Sequence, residues 1–231
     1  MKSPTMMDEN LTGELLAASI HEIKNRFGLL YSELDELTNQ LAVTDTLQTK
    51  AQRIKSEAQF ISSELVRVLT SYKSLTDDFS LNIDQQFAEE FLEEVIARHS
   101  FTCNAHNLKL TMSCEEDVTG FFDKQVFAIV VDTCIYNSIK AGANQISLNA
   151  SEDDQYFYLC IEDNGPGFPA DMLEGGVSQS DLQIDKHSTG LGLFFADRLI
   201  QRHKEGKSHG KMTLSQSQAL QGAKVTLQIP H

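Results

Sequence analysis

Two apolar seams constrain the first third of this chain more than any other feature of it. Leu16, Ile20, Ile23, Phe27, Leu30, Leu34, Leu37 and Leu41 follow one another at alternating steps of four and three. After a short connection at residues 42–46 the same alternation resumes through Leu47, Ala51, Ile54, Ala58, Ile61, Leu65, Val68, Tyr72 and Leu75. Steps of four and three keep apolar side chains on one helical stripe, so the spacing predicts two long helices. A short loop between them makes an antiparallel hairpin. Each helix of a lone hairpin would leave half its stripe in water, and pairing with a second copy closes the seams as a dimeric four-helix bundle. A hairpin packed on the rest of its own chain is the competing arrangement. His21 lies one residue past the seam position Ile20, beside the core with its ring open to solvent.

The heptad stops near residues 74–84, where polar residues cluster, and this reads as a linker. Domain boundaries of 1–76 for the hairpin and 77–231 for a second domain follow. Beyond the linker, helical patterns at 87–105, 123–140 and 190–201 interleave with alternating patterns at 108–112, 145–149, 156–161 and 224–229. That mixture predicts an α+β two-layer sandwich, with helices on one face of a mixed sheet.

A formal charge of −14 argues against nucleic acid and against an anionic membrane surface as partners. An anionic ligand must then be held locally, by backbone amides, a few lysines or a metal ion. The chain has neither a bilayer-length apolar run nor a signal-peptide pattern at its start, so a cytoplasmic location is expected. Cys103, Cys114, Cys134 and Cys160 form no metal-ligand spacing and read as buried thiols. Apart from His21, the histidines read as surface or loop residues. The locally basic run from His203 to Lys211 reads as a solvated turn between helix and strand.

Three groups in the second domain carry possible chemistry. Asp163-Asn164-Gly165-Pro166-Gly167 follows a strand, and two glycines beside a carboxylate suit a backbone that passes close to a planar ligand. Taken alone it reads first as a turn of good turn residues. Ser188-Thr189-Gly190-Leu191-Gly192-Leu193 opens a helix, whose unpaired amides and positive dipole end can receive phosphate. Asn137, with Lys140 three residues later on the same helix, pairs a metal-ligating amide oxygen with a phosphate-neutralising ammonium.

In this order the three groups resemble the ATP-binding domain of two-component sensor histidine kinases, over roughly residues 86–230. His21-Glu22-Ile23-Lys24-Asn25 is similar to the phospho-acceptor box of the same kinases. The resemblance implies that His21 is phosphorylated, that Glu22 orients or deprotonates it, and that Asn25 positions the water that dephosphorylates a partner. It implies that Asn137 binds Mg²⁺, Lys140 the phosphates and Asp163 the adenine amino group. Gly165 and Gly167 would admit the base, while Gly190, Leu191 and Gly192 would wrap the phosphates. ATP and Mg²⁺ are the implied cofactors. The implied partners are a response regulator receiver domain, a second copy of the chain, and a separate sensory protein, since no sensor domain is seen ahead of the acceptor helix.

The sequence departs from that pattern in places. Arg26 stands where a proline commonly follows the acceptor box, and Thr133 where a second asparagine is common. The segment 168–189 is short, with Gly175-Gly176 as a possible hinge. Two other readings compete with the kinase: a histidine phosphotransferase relay whose second domain no longer binds ATP, and a serine/threonine kinase of the type that restrains sigma factors. Intact glycines at 165, 167, 190 and 192 weigh against the first, and the box at His21 weighs against the second.

Overall fold

A computed structural model of the chain describes Ile54, residues 80–175 and residues 191–231. The expected hairpin, with His21, Glu22 and Asn25, falls outside the described residues apart from Ile54, as do Gly176 and Gly190. The chain divides into two compact units, Met1–Phe79 and Ser80–His231, and the fold below is that of the second.

Its elements run β1 (Asp84–Phe87), α1 (Ala88–His106), β2 (Lys109–Cys114), β3 (Thr119–Phe122), α2 (Lys124–Lys140), β4 (Gln145–Glu152) and β5 (Tyr156–Asp163). They continue through α3 (Ala170–Gly175), α4 (Leu191–Gln201), β6 (Lys204–Glu205), β7 (Ser208–His209), β8 (Lys211–Gln216) and β9 (Ala223–Pro230). Five strands form one mixed sheet in the order β2-β4-β5-β9-β8. Only the β2–β4 pair is parallel; the other three pairs are antiparallel. Two small antiparallel ribbons, β1–β3 and β6–β7, complete the strands.

Alternation along the strands decides which face is covered. Phe157, Leu159, Ile161 and Asp163 of β5 are buried, and the residues between them are half-buried. The register sets Ile161 opposite Leu148 and Val225, and Leu159 opposite Ala150 and Leu227, so the buried positions share one face. Helices α1, α2 and α4 pack on β2, β5 and β8 respectively, which gives the expected two-layer α+β sandwich. Beneath the sheet, Phe91, Phe122, Phe127 and Phe157 form an aromatic cluster, with ring centroids from 4.4 to 6.0 Å apart. Gly120 makes room for it, because a Cβ there would come within 2.7 Å of the Phe157 ring.

Helix α2 begins where Asp123 caps it, accepting from the Gln125 and Val126 amides at 3.0 Å each. The helix ends at Lys140. The turn beyond it runs through Gly142 at φ +88, and the amides of Ala141 and Ala143 return to the carbonyls of Asn137 and Ser138.

Several sequence expectations are corrected here. His99 and His203 are 2% and 0% exposed and are core residues, not surface ones. His203 donates from Nδ1 to the Leu199 carbonyl (3.1 Å) and accepts the Asp123 amide at Nε2 (3.2 Å), which only the neutral ring can do. The basic run after it is the β6–β7 ribbon rather than a simple turn. Of the four cysteines only Cys134 is buried; the others are half-buried. Strands β1, β3, β6, β7 and β8 and the short helix α3 carry too little local pattern to have been expected, while the helices and strands expected beyond the linker occur within a few residues of their predicted ends.

Candidate functional site

Asp163 is the last residue of β5, on the buried face of the sheet, and is 4% exposed. A carboxylate buried this deeply must be hydrogen bonded, and it is. Its Oδ1 accepts the amides of Gly165 (2.8 Å) and Ala223 (3.0 Å), and its Oδ2 accepts the hydroxyl of Ser138 (2.5 Å). An ionised carboxylate offers about four lone-pair sites. The protein fills three, so one acceptor position on Oδ2 is left for a ligand that brings a donor.

The loop after Asp163 is fastened on both sides. The Asn164 side chain accepts from the amides of Asn144 and Gln145 (3.0 Å each) and donates to Asn144 Oδ1 (2.7 Å). Gly165 sits against the end of α2, where an added Cβ would stand 3.1 Å from Asp163 Oδ1 and 3.6 Å from the Ala143 Cβ. Gly167 has φ +79, a conformation that favours glycine, and the Gln216 side chain occupies the space a Cβ would need. From that position Gln216 Nε2 donates to the Phe168 carbonyl at 2.8 Å.

Asn137 precedes Ser138 in the last turn of α2. The amide is half-buried, and its Nδ2 is a buried atom with no hydrogen-bond partner. A buried donor that the protein leaves unsatisfied fits a site completed by a ligand or water that brings an acceptor, and the amide oxygen of the same side chain is of the kind a hydrated cation takes. Lys140, the final residue of α2, is exposed. Thr133, which stands where a second asparagine is common, is 2% exposed and donates its hydroxyl to the Ile129 carbonyl at 2.7 Å. It therefore serves the helix interior rather than a ligand. Gly192 is buried in the first turn of α4, which packs against α2; Leu191 begins that helix.

The fold thus gathers Asp163, Gly165 and the end of α2 with Asn137, and adds residues that sequence reasoning missed. Ser138 left one trace, a small polar residue between Ile135 and Ile139 of a largely apolar helix. Gly222 and Ala223 left none, because only the β8–β9 turn carries them to Asp163. A Cβ on Gly222 would meet the Asp163 carbonyl, Asp163 Oδ1 and the Gly165 amide nitrogen, so the approach is open to glycine alone.

Residues 123–231 match the family described as histidine kinase-, DNA gyrase B- and HSP90-like ATPase. Over those residues the chain is similar to ATPase domains of this family. Among curated proteins it is similar to the sensor histidine kinase WalK of Bacillus subtilis, at 22% identity over 204 residues, covering 82% of this chain and 33% of that one. Similarity to the sensor protein PhoQ of Escherichia coli is 20% over 190 residues, covering 81% and 38%. The chain therefore spans between a third and two fifths of the length of these relatives. Full-length ShkA, solved in complex with AMPPNP, shares the fold at a TM-score of 0.65 and 18% identity, over 94% of this chain and 45% of that one. The histidine kinase AdeS of Acinetobacter baumannii gives 0.58 and 18%, over 91% and 97%. The catalytic domain of the histidine kinase ThkA gives 0.56 and 19%, over 65% and 98%. Among the described residues no helix is long and apolar enough to cross a membrane.

Proposed function

We propose that this ATPase-type domain serves a histidine protein kinase, which phosphorylates His21 from Mg-ATP and passes the group to an aspartate on a response regulator receiver domain. The observation that carries the reading is the single acceptor position left on buried Asp163, walled by Gly165 and Gly222, in a domain of an ATP-using family. An exocyclic amine such as that of adenine supplies the donor this position needs. Asn137 would hold Mg²⁺ through its amide oxygen, with the metal neutralising phosphate charge. Lys140 would face the phosphates, and the amides at Gly190, Leu191 and Gly192 would receive them at the start of α4. Gly167 lets the loop turn beside the base.

In the same reading, residues 1–76 are the phospho-acceptor hairpin and 77–231 the catalytic domain. His21 attacks as the neutral imidazole with Glu22 as its base, and Asn25 places a water for dephosphorylation of the regulator. Dimerisation would close the seam: its one described residue, Ile54, is helical and 53% exposed in the single chain. Sensory input would come from outside residues 1–231, and the chemistry would take place in the cytoplasm.

Incubation with γ-labelled ATP and Mg²⁺ tests the reading. Acid-labile, base-stable label on the wild type that is lost in His21→Ala supports it. Absence of nucleotide binding at millimolar concentration would instead favour the phosphate relay. Asn25→Ala should label normally yet dephosphorylate the regulator more slowly, and an unchanged phosphatase rate removes the role given to Asn25.

A further inference from the structure

We infer that Ser138 is a specificity-determining residue that makes the wall around Asp163 present acceptors only, so that the site takes a base with an amine at its recognised edge and turns away a base with a carbonyl there. The inference rests on the reading of Asp163 as the base-recognition group.

Ser138 is 7% exposed, and its hydroxyl has one hydrogen, which goes to Asp163 Oδ2 at 2.5 Å. The other donors next to the carboxylate, the amides of Gly165 and Ala223, both point at Oδ1 and are likewise committed. Ala223 adds no polar side-chain atom of its own. What remains for a ligand is the open lone pair of Oδ2 and the lone pairs of Ser138 Oγ. An amine satisfies such a wall. A carbonyl oxygen meets only other acceptors, and the site can offer it a donor only by breaking the buried Ser138–Asp163 bond.

Replacing Ser138 by alanine removes the hydroxyl and leaves space for a water beside a buried carboxylate, a polar setting in which a water is retained. Water carries two hydrogens where the hydroxyl carries one. It can donate one to Asp163 Oδ2 and turn the other to the ligand, so the wall acquires the donor it lacked. The distinctive consequence is that the variant gains affinity for the wrong base rather than losing affinity for the right one.

The experiment measures dissociation constants of ATP and inosine triphosphate, which differ at position 6 by amine against carbonyl and at N1 by a lone pair against N–H, for the full chain, and reads the change in their ratio between wild type and variant. For Ser138→Ala the ratio of the two constants should shift toward inosine triphosphate by roughly five- to tenfold, the worth of one hydrogen bond, with inosine triphosphate itself binding more tightly. Ser138→Thr, which keeps the hydroxyl, should keep the wild-type ratio. An unchanged ratio in Ser138→Ala, or parallel weakening of both nucleotides, overturns the inference and leaves Ser138 a structural residue. A second variant decides the matter should alanine disturb folding. Ser138→Gly likewise removes the hydroxyl and should shift the ratio toward inosine triphosphate as alanine does; an unchanged ratio overturns the inference. A wild-type chain that binds neither nucleotide refutes the nucleotide-site reading itself, an outcome distinct from all of these.

Discussion

A Cβ at position 222 would lie 2.5 Å from Asp163 Oδ1 and 2.6 Å from the Gly165 amide nitrogen, and closer still to the Asp163 carbonyl oxygen. Two of those three atoms are backbone, so nothing flexible can yield. Gly222→Ala should therefore cost about 2 kcal/mol of stability by overpacking and weaken ATP binding at least tenfold (about 1.4 kcal/mol), read by thermal melting and nucleotide titration. Gly142, with open space around it, should accept alanine with a loss set only by its positive φ. His203 gives a pH dependence. Burial holds its pKa below the ordinary 6.5, although the Leu199 carbonyl and Asp123 oppose the shift. The unfolded chain then takes up the proton first on acidification. Stability contributed by His203 is complete above about pH 6.5 and falls as the pH drops below that value. His203→Gln, which cannot titrate, should flatten this part of the melting temperature profile between about pH 7 and 5; a slope identical to wild type contradicts the assignment.

At the scale of elements, α2 is the member whose two ends do different work. Its start is fixed by Asp123, which caps the helix with Oδ1 and accepts the Asn82 amide on Oδ2 at 2.9 Å. Its last turn holds Asn137, Ser138 and Lys140. Asp123→Ala should cost about 1–2 kcal/mol, the usual worth of a lost cap, and Asp123→Asn much less; urea unfolding of the two variants provides the comparison. Both α2 and α4 were legible in the sequence because their apolar patterns run longer than ten residues. Strands β1 and β3 were not, being four residues each. Their pairing joins Phe87 to Thr119, a contact that no local pattern encodes. Strand β8 alternates Met212 and Leu214 inward, but the run is too short to be told from a loop until β9 is placed beside it.

For the molecule as a whole, the aromatic cluster and the buried face of the sheet lie entirely within residues 80–231. A chain of residues 80–231 should therefore fold alone and melt cooperatively. Circular dichroism checks this, and a fragment without a cooperative transition contradicts it. The same fragment should bind ATP while lacking His21, and so should show no autophosphorylation.

The sequence by itself determined the quantities that depend on near neighbours: helical and strand periods, the glycine-bearing turns, the order of Asn137, Asp163 and Gly192 along the chain. These are set by side chains a few positions apart, where spacing is geometry. Only the tertiary structure decided which groups satisfy one another across long separations. Ser138 reaches Asp163 over 25 positions and Ala223 over 60, while His203 meets Asp123 over 80 and His99 meets Asp132 over 33. Burial forces such pairings, since a polar group removed from water must find a partner wherever the fold brings one. That is why two histidines that look unremarkable in the sequence lie in the core, and why the wall of the site belongs to Ser138 and Gly222 as much as to the motif that announces it.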